Sequence, residues 1–125
     1  MILETDLGNG VSWIRYQLSG TTLFRSVVPK TAGDDPATKT SDPAVMVPFL
    51  TNVMNSMPAQ PIFKFTCDTP AGPQPCSAAG NYAVSNQIRD VDITLIVQTR
   101  QPDLQTGRLK LVELEGRGHR VNPAN

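Results

Sequence analysis

At 125 residues with 39% hydrophobic content, the chain is long enough for one domain with a real core and too short for two comfortable ones. Lys plus Arg equals Asp plus Glu at 11 each, so the net charge is zero and no long-range field gathers nucleic acid or an anionic membrane surface. Eleven Pro and nine Gly, clustered between short apolar runs, are more than a helical domain tolerates and read as turns between strands.

No apolar run approaches the ~20 residues needed to span a bilayer, and the N-terminus lacks the basic-then-apolar pattern of a secretory signal. Met1 directly before ILETDL reads as a start placed on an internal fragment, with any targeting segment upstream. Residues 1–8 read as the end of a helix begun earlier, because Gly8 and Gly10 around Asn9 supply the left-handed stop that helices favour. The run VSWIRYQL then alternates, with Ile14, Tyr16 and Leu18 on one face. Ser19-Gly20-Thr21 turns it into TLFRSVV, a hairpin in which Trp13 and Phe24 are a candidate cross-strand pair. From Lys30 to Pro43 the chain is polar and without period, an exposed and mobile loop. VMVPFLTNV, broken by Pro48, fits either an edge strand or an irregular segment that tucks Phe49, Leu50 and Val53 inward.

IFKF is a short strand running into Cys67, and TCDTPAGPQPC is a Pro/Gly loop with no His or CxxC pattern near it. Cys67 and Cys76 read as a disulfide rather than two free thiols, contributing about 2–3 kcal/mol and implying an exported domain. Gly80-Asn81 is a turn, and Ser85 or Asn86 is a candidate cap for one helical turn. IRDVDITLIVQT, from Ile88 to Thr99, has the clearest period in the chain and reads as the central strand of an antiparallel sheet. QPDLQTG connects it to a last strand in RLKLVELEG, and the turn formers from Gly116 onward predict a tail, flexible over 117–125.

This succession resembles the soluble part of type IV pilin-like proteins, with the closest likeness to minor pilins and minor pseudopilins carrying a prepilin-type N-terminal methylation segment. The residues that carry the likeness are the helix end, the hairpin VSWIRYQLSGTTLFRSV, VPFLTNVMN, IFKF and IRDVDITLIVQT. The resemblance implies an α+β, pilin-like fold: an antiparallel sheet with the end of an N-terminal helix. It further implies a structural subunit of a type IV pilus or type II secretion filament. Its partners would be other pilin or pseudopilin subunits, and the inner membrane through a helix ahead of Met1. The domain would lie in the periplasm or on a cell-surface filament, and Cys67 with Cys76 matches the family's habit of stapling a loop.

No catalytic, cofactor or metal residues are assigned. His119, the only histidine, lies in the expected tail without an orienting partner. Asp34, Asp35 and Asp42 lack the regular oxygen-ligand spacing of a calcium loop. Asp90 and Asp92 share a side of the central strand, where pairing with a neighbouring Lys or Arg is the expected role. Arg108, Lys110, Arg117 and Arg120 form one local basic cluster that, with Trp13, could touch phosphate or a filament neighbour. The stretches GNG, AGDD, PAGP and EGRG are read as turns. A second class of function is an exported, non-catalytic binding module for glycan or DNA, which requires Trp13, Tyr16 and Tyr82 to be exposed and co-facial. A small hydrolase would need a polar site that these residues do not supply.

Overall fold

In a computed structural model the described residues are 1–56, 59–76 and 88–119. Eight strands form two antiparallel four-stranded sheets. The first is a meander of β1 (Ile2–Asp6), β2 (Val11–Ser19), β3 (Thr22–Pro29) and β4 (Val47–Leu50), in that order. The second holds β5 (Phe63–Thr69), β6 (Gly72–Pro75), β7 (Ile88–Gln98) and β8 (Leu111–His119), in the order β6-β5-β7-β8. One five-residue helix, α1 (Pro36–Thr40), lies between β3 and β4.

The expected α+β, pilin-like architecture is therefore corrected. Among the described residues strand accounts for 57% and helix for 5%, with no helix of seven or more residues. Among the described residues, no helix is long and apolar enough to cross a membrane. Residues 2–6, expected to end a helix, form an edge strand that sets Leu3 opposite Ile14 and Glu4 opposite Trp13. The physical reason is that left-handed glycines serve hairpin turns as well as helix stops. Gly8 and Gly10, at φ 86 and 113, reverse the chain between β1 and β2.

β2 and β3 meet through a two-residue turn, Gly20-Thr21, with Gly20 at φ 58. Ile14 and Leu23 point to the inner face and are buried. Trp13 lies opposite Val28 and Phe24 opposite Gln17, so the expected Trp13–Phe24 pair does not form. The segment 30–43 is not a bare loop. Asp35 caps α1 by accepting hydrogen bonds from the amides of Ala37 and Thr38, and Pro36 opens the helix without needing a donor. Ser26 Oγ then donates to the Thr40 carbonyl at 2.8 Å, and Arg15 Nη1 to the Ala37 carbonyl at 3.2 Å, which fastens α1 to the outer face of the first sheet.

The two sheets are joined by residues 51–56. Val53, fully buried, donates its amide to Thr21 in the first sheet at 2.9 Å and bridges Val97 in the second. Asn55, 2% exposed, completes the joint: its side-chain oxygen accepts from the Ile96 amide at 2.9 Å and its Nδ2 donates to the Thr94 carbonyl at 2.8 Å. Around this segment Leu23, Val53 and Ile62 form the buried cluster, with Tyr16, Leu18, Leu50, Phe63 and Leu95 packed against it. The core is compact and sits at the joint, so the outer part of the β7–β8 hairpin receives little cover.

Candidate functional site

β7 and β8 pair over nine residues, from Asp90 opposite His119 to Gln98 opposite Leu111. The connection between them is tightly built. Asp103 Oδ1 accepts from the amides of Gln105 and Thr106, its carboxylate pairs with Lys110, and Gly107 takes φ 65. The Lys110 contact comes first, and the two amides next, in holding the Asp103 carboxyl below the usual carboxylate range.

Because cross-strand partners share a face, the register divides the hairpin by chemistry. On one face lie Val91, Ile93, Leu95 and Val97 opposite Gly118, Gly116, Leu114 and Val112. On the other lie Asp90, Asp92, Thr94 and Ile96 opposite His119, Arg117, Glu115 and Glu113. All nine residues of β8 are exposed; on the apolar face Leu114 is 55% and Val112 44% in solvent, with Ile93 of β7 beside them, while Leu111, opposite Gln98, is exposed on the other face. Leu104, at the tip of the connection, is completely exposed. A run of bare apolar side chains along one hairpin is a feature that monomeric soluble domains avoid unless it meets a partner.

On the polar face Asp92 and Asp90 have cross-strand partners, whereas Glu115 and Glu113 stand opposite Thr94 and Ile96 and make no ion pair among the described residues. Arg117 grips Asp92 with two hydrogen bonds, Nε at 2.5 Å and Nη2 at 3.2 Å, which holds the carboxyl below its usual range and raises the guanidinium. Nδ1 of His119 lies 2.5 Å from Oδ1 of Asp90. His119 thus has an orienting carboxylate that the sequence did not reveal, and it sits in a strand rather than a tail. The expected flexible segment 117–125 is corrected over its first three residues, which belong to β8. Asp92 is taken up by the Arg117 guanidinium, and Asp90 orients the His119 ring. A hollow of about 550 Å³ beside them is lined by Lys64, Asp92, Thr94, Glu115 and Arg117, where positive and negative side chains balance.

The remaining candidates are dispersed. Asp34 pairs with Lys39, Asp35 caps α1, and Asp42 accepts from the Ala44 amide, so the three carboxylates hold separate turns. Among the described residues, no group of three or more His, Cys, Asp or Glu side chains converges as metal ligands do. Lys110 is committed to Asp103 and Arg117 to Asp92, which divides the basic cluster; Arg120 lies outside the described residues. Gly80, Asn81, Ser85 and Asn86 also lie outside them. Cys67 and Cys76 form a disulfide with Cα atoms 5.0 Å apart, and its loop contains β6, a strand the sequence reading did not predict.

The aromatic platform does not assemble as required. Trp13 and Tyr16 project from opposite faces of β2, and Tyr82 lies outside the described residues. Trp13 is covered by Lys30, whose ammonium sits 4.9 Å from the ring and is held by Glu4. Tyr16 instead joins Phe49 at 5.7 Å and Phe63 at 6.1 Å, with the Arg25 guanidinium over both Tyr16 and Phe49. Beside this group a cleft of about 430 Å³ opens between the sheets, lined by Arg15, Tyr16, Leu18, Ile62, Phe63 and Phe65 among others. Its described lining is mostly apolar and carries no carboxylate, imidazole or thiol; its polar groups include the Met1 amine, the Arg15 guanidinium and the Tyr16 phenol, so it could hold an apolar group with a polar edge.

No family model, no curated protein and no solved structure matches the chain. On the β7–β8 hairpin, sequence reasoning passed over the alternation Glu113, Glu115, Arg117, His119 along β8. Gly116 and Gly118 read as turn formers and concealed it, although a period of two continuing through both glycines is the signal of a strand.

Proposed function

We propose that this protein is a non-catalytic structural subunit, an exported domain that acts by assembly with neighbouring subunits and by presenting its loops. The observation that carries the reading is the β7–β8 hairpin, whose apolar face leaves Ile93, Val112 and Leu114 exposed and whose outer strand is exposed at all nine residues. The Cys67–Cys76 disulfide supports an oxidising compartment. The matched charges around Asp90 and Asp92 favour a structural surface over a reactive one.

A minor pilin or pseudopilin is the specific form of this reading that the residue order suggests, and it would add other pilin subunits as partners. It requires a short basic leader and about 20 apolar residues with an early Glu, encoded ahead of Ile2 and joined to the sheet through β1. Reading the gene upstream of the Ile2 codon tests this form. An ordinary signal peptide, or none, removes the pilin form and leaves assembly through the hairpin. The broader reading is tested by the size of the native particle extracted from its own cells under mild conditions. Recovery in a stoichiometric multi-subunit particle is expected; a particle containing one copy of this chain and nothing else contradicts it. The Tyr16, Arg25 and Phe49 cluster favours, as a second reading, a module that binds a planar or glycan ligand beside the cleft. Saturable glycan binding lost in Tyr16→Ala would support that second reading.

A further inference from the structure

We infer that β8 is a self-complementary docking strand that pairs antiparallel with β8 of a second copy of this chain, about a two-fold axis at Gly116. This deepens the assembly reading and rests on it, by naming the surface and one partner.

The four outer edges differ in how they are guarded. β6 carries Pro73 and Pro75, and β4 is four residues long and contains Pro48, so both lack donors and length for a new ladder. β1 spans five residues. β8 spans nine residues, contains no proline, and among the described residues has no strand on its outer side. Among the described residues it is the long open edge.

The order of charges on that edge is Glu113, Glu115, Gly116, Arg117, His119, acidic before the glycine and basic after it. Antiparallel pairing centred on Gly116 sets Glu115 opposite Arg117 of the second copy and Glu113 opposite its His119, and the symmetry repeats both pairs. Every facing pair of charged or titratable side chains in this register is then acid against base. Moving the centre to Glu115 or to Arg117 places like charges on the axis. A parallel alignment in register sets every charge against itself. A slip by one residue joins the polar face of one sheet to the apolar face of the other. One register is therefore favoured over its neighbours, which is what distinguishes a docking strand from an aggregation-prone edge.

Packing agrees with the charges. In the favoured register Leu114 lies opposite Gly118 of the second copy, on the face that carries Val112, Ile93 and Leu95, so the apolar faces of the two hairpins become continuous. Neither glycine is required by its own chain: neither has a positive φ, a Cβ at Gly116 meets nothing, and one at Gly118 comes no closer than 4.0 Å to the Val91 carbonyl. Glycine in a strand interior weakens it, and here the bare strip it leaves accommodates the neighbour's Leu114. Arg117 keeps its bond to Asp92, because a guanidinium has donors enough for a carboxylate on each side. The pairing closes on itself and yields a dimer with a continuous eight-stranded sheet rather than a fibre.

Sedimentation equilibrium on the whole chain, with its disulfide intact, tests this. A reversible dimer that weakens as salt rises is expected. Glu115→Arg sets Arg against Arg117 at two places and is expected to weaken the dimer about tenfold to a hundredfold, with the thermal midpoint of the monomer unchanged. Arg117→Glu is monomeric for the mirror reason, and mixing the two variants restores a one-to-one heterodimer. A wild-type chain that stays monomeric overturns the self-pairing while leaving assembly with other subunits open to the native-particle measurement. A dimer indifferent to Glu115→Arg, or a variant mixture that stays monomeric, also overturns it.

Discussion

Asn55 is the side chain on which the joint between the sheets depends. It is buried, and its amide answers both a carbonyl and an N–H of β7 that no strand covers on that side. Truncation leaves two buried backbone groups without partners, so Asn55→Ala is expected to destabilise the chain by about 2–3 kcal/mol, read from urea unfolding followed by the single tryptophan. Nothing in the sequence marks this residue: an Asn in TNVMNS looks like any loop Asn until its long-range partners, Thr94 and Ile96, are known. Asn52 is similar, since its φ of 61 shows only in the folded backbone. Asn52→Gly is therefore expected to be tolerated, and Asn52→Val to cost about 1–2 kcal/mol in the same measurement.

The carboxylates give the molecule its response to acid. Asp35 is held below the usual range by the Thr38 hydroxyl first and by the amides of Ala37 and Thr38 next, and Asp103 by Lys110 and the amides of its own turn. In both cases the folded pKa lies below the unfolded value of about 3.9, so the unfolded chain takes up the proton first as pH falls. The stability these groups contribute is fully present above that value and is lost as pH drops through the folded one. A urea midpoint that is level from neutral to about pH 5 and declines below about pH 4 is expected, with Asp103→Asn removing part of the decline. A midpoint that rises on acidification would contradict these assignments.

Among the elements, those with a clean period of two were legible and those defined by glycines were not. β7 is the strand that IRDVDITLIVQT announces, and the β2–β3 hairpin follows from VSWIRYQL and its Gly turn. β4 resolves the ambiguity of VMVPFL in favour of an edge strand, where Pro48 does no harm. β1, β6 and the end of β8 were not legible, because Gly and Pro mark turns, helix stops and strand edges alike. Only pairing partners decide among these, and they are remote in sequence. The disulfide was legible from loop composition alone. It ties the β5–β6 hairpin, and reducing it is expected to cost about 2–3 kcal/mol while leaving the β7–β8 hairpin intact, as hydrogen exchange would show by faster exchange confined to residues 63–76.

At the scale of the whole molecule, a small core at the joint serves two sheets and leaves one long hairpin exposed. That distribution suits a part of an assembly better than a free-standing catalyst, whose reactive groups would need enclosure. The assembly surface was only half legible: the apolar residues of RLKLVELEG were in plain view, but the charge order that gives the edge a preferred register required the strand to continue through Gly116 to His119. The most direct measurement is cross-linking of single-cysteine variants at neighbouring positions of β8. At the proposed axis the two copies of residue 116 lie about 4.5–5.5 Å apart, within disulfide reach, whereas the two copies of residue 114 lie about 14 Å apart. Gly116→Cys is expected to form a dimer-linking disulfide rapidly under mild oxidation and Leu114→Cys is not. Equal cross-linking at both positions, or efficient cross-linking at neither, would contradict the account.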